Sequence, residues 1–262
     1  MLNIKEIIGY YPNYMKSRSF YEYMLKEYFQ YKMLDIIFNS KWASKLSFIG
    51  GTSLRILHGV SRFSEDLDFD CFDLDRDEFM QMTDIVIKRI GEEGLDIMAD
   101  DKEKDLKLKA FRRNLIFPGL LFNQNISGHK EQKFLIKIES EPHNFDYTPA
   151  KPIIHKFNIF TQINAAPPDV LLSMKIGAAI ERQKGRDYYD CIFLMGKTKP
   201  NYDYLSEKLD INSSENLKKR ILDSCRNVDF KHKAKDFERL TYRREEAKKI
   251  EMFTSYIEQY DF

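Results

Sequence analysis

No two cysteines in this chain are spaced as CxxC, and the three present (Cys71, Cys191 and Cys225) lie far apart. An odd, scattered set argues against a disulfide framework and against a structural zinc site. Free thiols belong in a reducing compartment, so a cytoplasmic protein is expected. The five histidines form neither HxxxH nor HxH, and none is read as a metal ligand. No apolar run approaches the roughly 20 residues of a membrane helix. The N-terminal stretch "MLNIKEIIGYYPNYMKSRSF" lacks the apolar core of a secretion signal. No role in a membrane is expected. A basic excess is missing too: 42 Lys and Arg stand against 41 Asp and Glu, so any polyanion must be met by a local patch. No internal repeat and no low-complexity tract stands out.

What is present is a chain able to build a core. Of its 262 residues, 43% are hydrophobic, enough for one large domain or two small ones. "YEYMLKEYFQYKMLDIIFNS" has apolar residues at helical spacing, and "DRDEFMQMTDIVIKRIGEEG" reads as an amphipathic helix with acids in its first turn. "KLSFIGG" is a short strand ended by glycines, "TSLRILHG" a short helix closed by Gly59, and "EDLDFDCF" alternates with the period of a strand. Further strands are expected in "LDIMAD", "KAFRRNLIFPG", "QKFLIKIESE" and "KFNIFTQINA", with the charged "ADDKEKDLKLK" left to solvent. At "APPDVLLSMKIGAAIERQ" two prolines and an aspartate precede a helical pattern. From there the chain reads helical, through "RDYYDCIFLMG", "YDYLSEKLD", "SENLKKRILDSC" and "YRREEAKKIEMFTSYIEQY". The expectation is an α+β chain: a mixed domain over residues 1–166 and a helical domain over 167–262.

The segment "FIGGTSLRILHGVSRFSEDLDFD" concentrates the chemistry. On a strand, Asp66, Asp68 and Asp70 share one face, with Leu67 and Phe69 turned to the core. Carboxylates that close repel unless something positive stands between them. Mg²⁺ takes carboxylate oxygens together with substrate phosphates, so the acids fit a phosphate-handling metal site; a solvated edge strand is the plainer alternative. Gly50 and Gly51 end a strand just before a helix start at Thr52. Glycine lets the backbone approach a ligand, and the amides of a helix start hold anions. Ser64 adds a hydroxyl that suits a phosphate or a turn. A second cluster follows in "LLSMKIGAAIERQKGRDYYD". Lys175 sits in an apolar helix, with Arg182 two turns on and small residues between. Such a lysine snorkels to solvent or meets phosphate as a point charge, whereas arginine binds phosphate bidentately. Asp187 and Asp190, three apart, are neighbours on a helix face.

"GGT" followed by "DLD" resembles the signature of the DNA polymerase β-like nucleotidyltransferase superfamily. More narrowly, "FIGGTSLRILHGVSRFSEDLDF" is similar to the AbiEii/AbiGii toxin family, with its GGT-x-L-R and R-F-S-x-D-L-D-F. "LLSMKIGAAIERQKGRDYYD" resembles that family's lysine-bearing helix and R-D-x-x-D segment. The resemblance implies a nucleotidyltransferase fold: a mixed β-sheet with flanking helices, followed by an α-helical C-terminal region. It implies Mg²⁺ and an NTP substrate, with Asp66 and Asp68 as metal ligands. It also implies a third carboxylate on a later strand, for which Glu139 is the best candidate and Glu141 and Asp146 compete. Gly50, Gly51, Thr52 and Ser64 would contact phosphate and Lys175 would steady the triphosphate. The segment with Asp187 and Asp190 would position the nucleotide or the active-site lysine, beside Arg182 on the lysine's stripe. By the same resemblance the chain is the toxin of a type IV (AbiE-like) toxin–antitoxin or abortive-infection system, with an antitoxin from the adjacent gene and the 3′ end of tRNA as a candidate acceptor. Two rivals keep the fold: a growth inhibitor that binds NTP or RNA without turnover, and a small-molecule nucleotidyltransferase of the antibiotic-modifying kind.

Overall fold

The computed structural model describes residues 1–100 and 110–262. The charged stretch that the sequence leaves to solvent falls mostly on 101–109, outside the described residues. In chain order the elements are α1 (Ile4–Gly9), α2 (Tyr21–Phe38), β1 (Leu46–Ile49), α3 (Gly50–His58), β2 (Leu67–Cys71), α4 (Arg76–Gly91), β3 (Met98–Asp100), β4 (Phe111–Ile116), α5 (Leu120–Asn123), β5 (Leu135–Glu141), β6 (Ile153–Lys156) and β7 (Ile159–Gln162). Helices follow: α6 (Pro168–Glu181), α7 (Gly185–Met195), α8 (Tyr202–Leu209), α9 (Ser214–Cys225), α10 (Phe230–Glu238), α11 (Lys248–Glu251) and α12 (Phe253–Gln259). The chain groups into two compact units. The first holds Met1–Leu57, Phe63–Asn144 and Pro149–Ala165; the second holds His58–Arg62, Phe145–Thr148 and Ala166–Phe262. The division is therefore not one cut, because 58–62 and 145–148 group with the helical residues.

In the first unit a five-stranded mixed sheet runs in the order β1-β2-β5-β4-β3, the α+β architecture expected. β1 lies antiparallel to β2, and β4 antiparallel to both β5 and β3, whereas β2 and β5 are parallel. Alternation sets the faces. Leu67, Phe69, Ile136 and Ile138 are buried, while Asp66, Asp68 and Glu139 are half-exposed. Phe48 of β1 packs on Phe69, ring centroids 5.6 Å apart. The strand expected over "KFNIFTQINA" is instead β7 together with the end of a hairpin that pairs it with β6. Phe157 and Asn158 make the turn at φ 58° and 62°. Such two-residue turns match the twist of a hairpin, but they favour Asn and Gly, so a phenylalanine there hides the signal. Its ring is buried against Tyr11, Tyr28 and Tyr31, contacts that offset the backbone strain.

Helix α2 is buried on nearly every side, including its polar residues Lys26, Glu27 and Gln30. Each has a partner. Glu27 takes Arg55 of α3 at 2.8 Å and Lys156 of β6 at 2.6 Å. Lys26 reaches Glu65 at 3.0 Å, and the Gln30 amide donates to the Ser64 carbonyl at 3.0 Å. The helix thus anchors both α3 and the loop that leads into Asp66. In the second unit, the single helix expected over "YRREEAKKIEMFTSYIEQY" is broken: a 3₁₀ turn, Arg244–Ala247, precedes α11, and Met252 separates α11 from α12.

Burial pushes the Glu27 carboxyl up, but Arg55 and Lys156 outweigh it and hold it below the usual carboxylate range. A carboxyl lowered in the folded state contributes stability that is complete above its unfolded value of about pH 4.3 and is lost as pH falls through the folded value. Glu27→Gln should therefore be less stable at neutral pH by about 3 kcal/mol, because it takes the charge from between two half-buried cations. In urea titrations it should also lose less stability than the wild type between about pH 5 and pH 2. An unchanged acid slope would contradict this.

Candidate active site

The two ends of the glycine–acid segment, 48–57 and 63–70, belong to the first unit. Gly50 opens α3 at φ +78°, and a Cβ there would come within 2.2 Å of the Asp68 carboxylate. Only glycine fits both the left-handed backbone and that close approach. Thr52 is fully buried and its hydroxyl donates to the Asp66 carbonyl. The hydroxyl that the sequence offers to a phosphate is therefore a strut beneath Asp66. Gly51 is buried one residue earlier, and Ser64 is half-buried with its carbonyl held by Gln30. Asp70, the last of the alternating acids, is fully buried and accepts the His143 amide at 2.9 Å.

The parallel pair β2–β5 sets Asp68 directly beside Glu139, and Asp70 beside Glu141. Asp146 lies in the second unit. Of the three later acids, Glu139 is the one in register with Asp68. Two cations meet it there. Arg112 of β4 donates to its Oε2 at 2.6 Å, and the Lys137 ammonium lies 2.9 Å from the same oxygen and 3.4 Å from Asp66 Oδ2. Burial pushes Glu139 up, but its bonds with Arg112 and Lys137 hold it below the usual range. Burial pushes Lys137 down, and Asp66 and Glu139 reverse that and hold the ammonium on.

Among the described residues, no group of three His, Cys, Asp or Glu is gathered as a metal-holding cluster. The oxygens of Asp66, Asp68 and Glu139 nevertheless suit a hard divalent cation. A cation already stands between two of them, the Lys137 ammonium. The residues fit a metal that takes that place.

The second cluster lies wholly within the helical unit. Lys175 is 6% exposed and its ammonium sits 2.8 Å from Asp190 Oδ2. Arg62 binds the same carboxylate with two bonds of 2.7 Å. Burial pushes Asp190 up, and Arg62 and Lys175 outweigh it and hold it low. Arg182 caps α6 and forks onto the fully buried Asp187 at 2.7 and 2.9 Å. The structure thus joins Lys175 to Asp190, and Arg182 to Asp187, in two neighbouring pairs. It adds Arg62, Lys137 and Arg112, which sequence reasoning leaves out. Arg62 was legible as the arginine of "RFS", and Lys137 as the residue on the same strand face as Glu139; Arg112 on another strand carries no such mark.

A sequence model of the family described as "Nucleotidyl transferase AbiEii toxin, Type IV TA system" matches residues 32–260. Curated protein sequences give no match. Among solved structures, the nucleotidyltransferase toxin MenT4 from Mycobacterium tuberculosis H37Rv is similar with a TM-score of 0.63 and 14% identity, covering 100% of this chain and 91% of that one. JHP933 from Helicobacter pylori is similar with a TM-score of 0.52 and 17% identity, over 90% of this chain and 91% of that one. At these identities the likeness is one of fold.

Gly50→Ala and Gly59→Ala separate backbone strain from crowding. Both glycines have positive φ, but a Cβ on Gly59 meets nothing within 4 Å. Gly59→Ala should cost only the left-handed strain, about 1–2 kcal/mol, and Gly50→Ala clearly more, read by urea unfolding. Equal losses would mean that the approach of Asp68 to Gly50 is not a constraint.

Proposed function

This chain belongs to the AbiEii nucleotidyltransferase toxin family of type IV toxin–antitoxin systems, and from that premise we propose that it moves a nucleoside monophosphate from an NTP onto the 3′ end of tRNA in the cytoplasm, held in check by an antitoxin from the adjacent gene. The observation that supports the reading is the register that sets Asp68 beside Glu139, with Asp66, just before β2, 3.4 Å from the Lys137 ammonium that also meets Glu139. The acceptor oxygen attacks the α-phosphorus and forms a new P–O bond. The bond from that phosphorus to its bridging oxygen breaks, and pyrophosphate leaves. Glu139, ionised in its present surroundings, takes the acceptor's proton. Asp66, Asp68 and Glu139 would hold Mg²⁺, which when bound supplies Lewis-acid charge to the phosphate oxygens.

The amides of Gly50 and Gly51 and the Ser64 hydroxyl take phosphate oxygens. Thr52 serves instead as the support of Asp66. Lys175 is assigned to the phosphates by the resemblance and Arg182 by its place two turns on along the same helix, with Asp190 and Asp187 as their holders. Arg62 and Lys175 share the Asp190 carboxylate in a buried place, which fixes where the ammonium stands.

Asp66→Ala and Asp68→Ala should each lower transfer by at least about a hundredfold, through loss of metal-held charge, with the thermal melt kept. Wild-type chain expressed alone in a bacterium should slow growth, and Asp66→Ala should relieve this. Labelled NTP should mark a tRNA-sized band in total RNA only with Mg²⁺, and less so as salt rises. Toxicity that survives Asp66→Ala would favour growth inhibition by occupancy. Transfer to a small hydroxyl compound alone would favour the small-molecule reading.

A further inference from the structure

We propose that Lys137 holds the place of a divalent cation between Asp66 and Glu139, so that free metal is kept out and metal binds as its complex with the nucleotide. The inference rests on the nucleotidyltransferase reading and deepens it. Lys137 and Glu139 lie two apart on β5 and therefore point to the same side of the sheet. The ammonium spans the two acids, 2.9 Å from Glu139 and 3.4 Å from Asp66, at a side chain 24% exposed. Arg112 from β4 covers the same Glu139 oxygen. A divalent ion drawn to these carboxylates meets a like charge a few ångströms away, and like charges that close repel strongly in a half-buried place.

The two cations on Glu139 differ in what they permit. Arginine is a planar fork held rigidly on its carboxylate, whereas lysine is a point charge on a flexible four-carbon stem. Lys137 can therefore leave its acids when a better anion arrives. An NTP brings one, since a phosphate oxygen accepts a charge-assisted bond as well as a carboxylate does. Metal and nucleotide would then help each other: Lys137 moves from its acids to the phosphates, which leaves Asp66 and Glu139 to hold the metal. By linkage, each tightens the other's binding by the same factor. A lysine that merely braced the strands would give no such coupling.

The test is a titration of the full chain with Mn²⁺, followed by the electron paramagnetic resonance signal of the free ion, with and without an α,β-methylene NTP analogue. Wild type should bind Mn²⁺ weakly alone and much more tightly with the analogue. Lys137→Met, and Lys137→Gln as a second variant of different packing, should bind Mn²⁺ alone at least about tenfold tighter, the repulsion being gone, and should gain less from the analogue. Lys137→Arg should bind Mn²⁺ alone as weakly as wild type but gain less from the analogue, because the guanidinium stays on its carboxylates. Thermal melts establish that each variant is folded. Equal or weaker Mn²⁺ binding in both neutral variants, with binding abolished by Asp66→Ala, would overturn the role of Lys137 and leave the metal reading standing. No Mn²⁺ binding by wild type or variants, even with the analogue, would overturn both.

Discussion

Three carboxylates brought together on two neighbouring strands of one sheet repel one another, and much of the first unit is arranged around containing that repulsion. Asp68 enters from β2, Asp66 from the residue just before it and Glu139 from β5, and the parallel register fixes Asp68 beside Glu139. Lys137 and Arg112 supply the opposing charge. Around them the backbone is built close. Gly50 gives Asp68 room that any side chain would fill, and the Thr52 hydroxyl holds the Asp66 carbonyl from below. Helix α2 supports the same place from further off, through Lys26 on Glu65 and Gln30 on Ser64. Motif residues that invite a reading as ligand contacts thus divide between those facing outward and those that hold them there.

The helical unit solves a different electrostatic problem. Arg62 and Lys175 share Asp190 in a place nearly closed to water, and Arg182 forks onto Asp187 close by in the chain. Charges buried this deeply contribute little net stability compared with apolar packing of the same volume. What they secure is orientation. Arg62 is drawn from the stretch between α3 and β2, and its neighbour Ser61 accepts a bond from Thr241 at 2.8 Å. The "RFS" stretch is thereby split by residue: Arg62 serves the helical unit, while Phe63 and Ser64 belong to the first.

The sequence was most legible where period and punctuation agree. The glycine pair after an apolar run, the strand period of "EDLDFDCF" and the proline-led helix at 168 all match what the chain forms. Glu139 could be named because strand alternation places it on the polar face, yet its neighbour across the sheet depended on the order of strands, which no local pattern encodes. Arg112 stayed invisible for that reason. Phe157 misled because a bulky residue at positive φ contradicts turn statistics and is stabilised only by packing from distant residues. Lys26, Glu27 and Gln30 carry no mark of their burial in the sequence, because the partners that make it possible lie far along the chain. Thr52 shows the limit within a motif, since sequence cannot say which member of "GGT" faces a ligand and which faces its own strand.

The central claim is that the acids of β2 and β5 direct attack on the α-phosphorus of an NTP. Parallel incubations of the wild-type chain and Mg²⁺ with total RNA, one with NTP labelled at the α-phosphate and one at the γ-phosphate, test it most directly. The account predicts label on RNA from the α-position only, with the γ-label recovered in pyrophosphate. Label carried to RNA from the γ-position would mean phosphoryl rather than nucleotidyl transfer, and would contradict it.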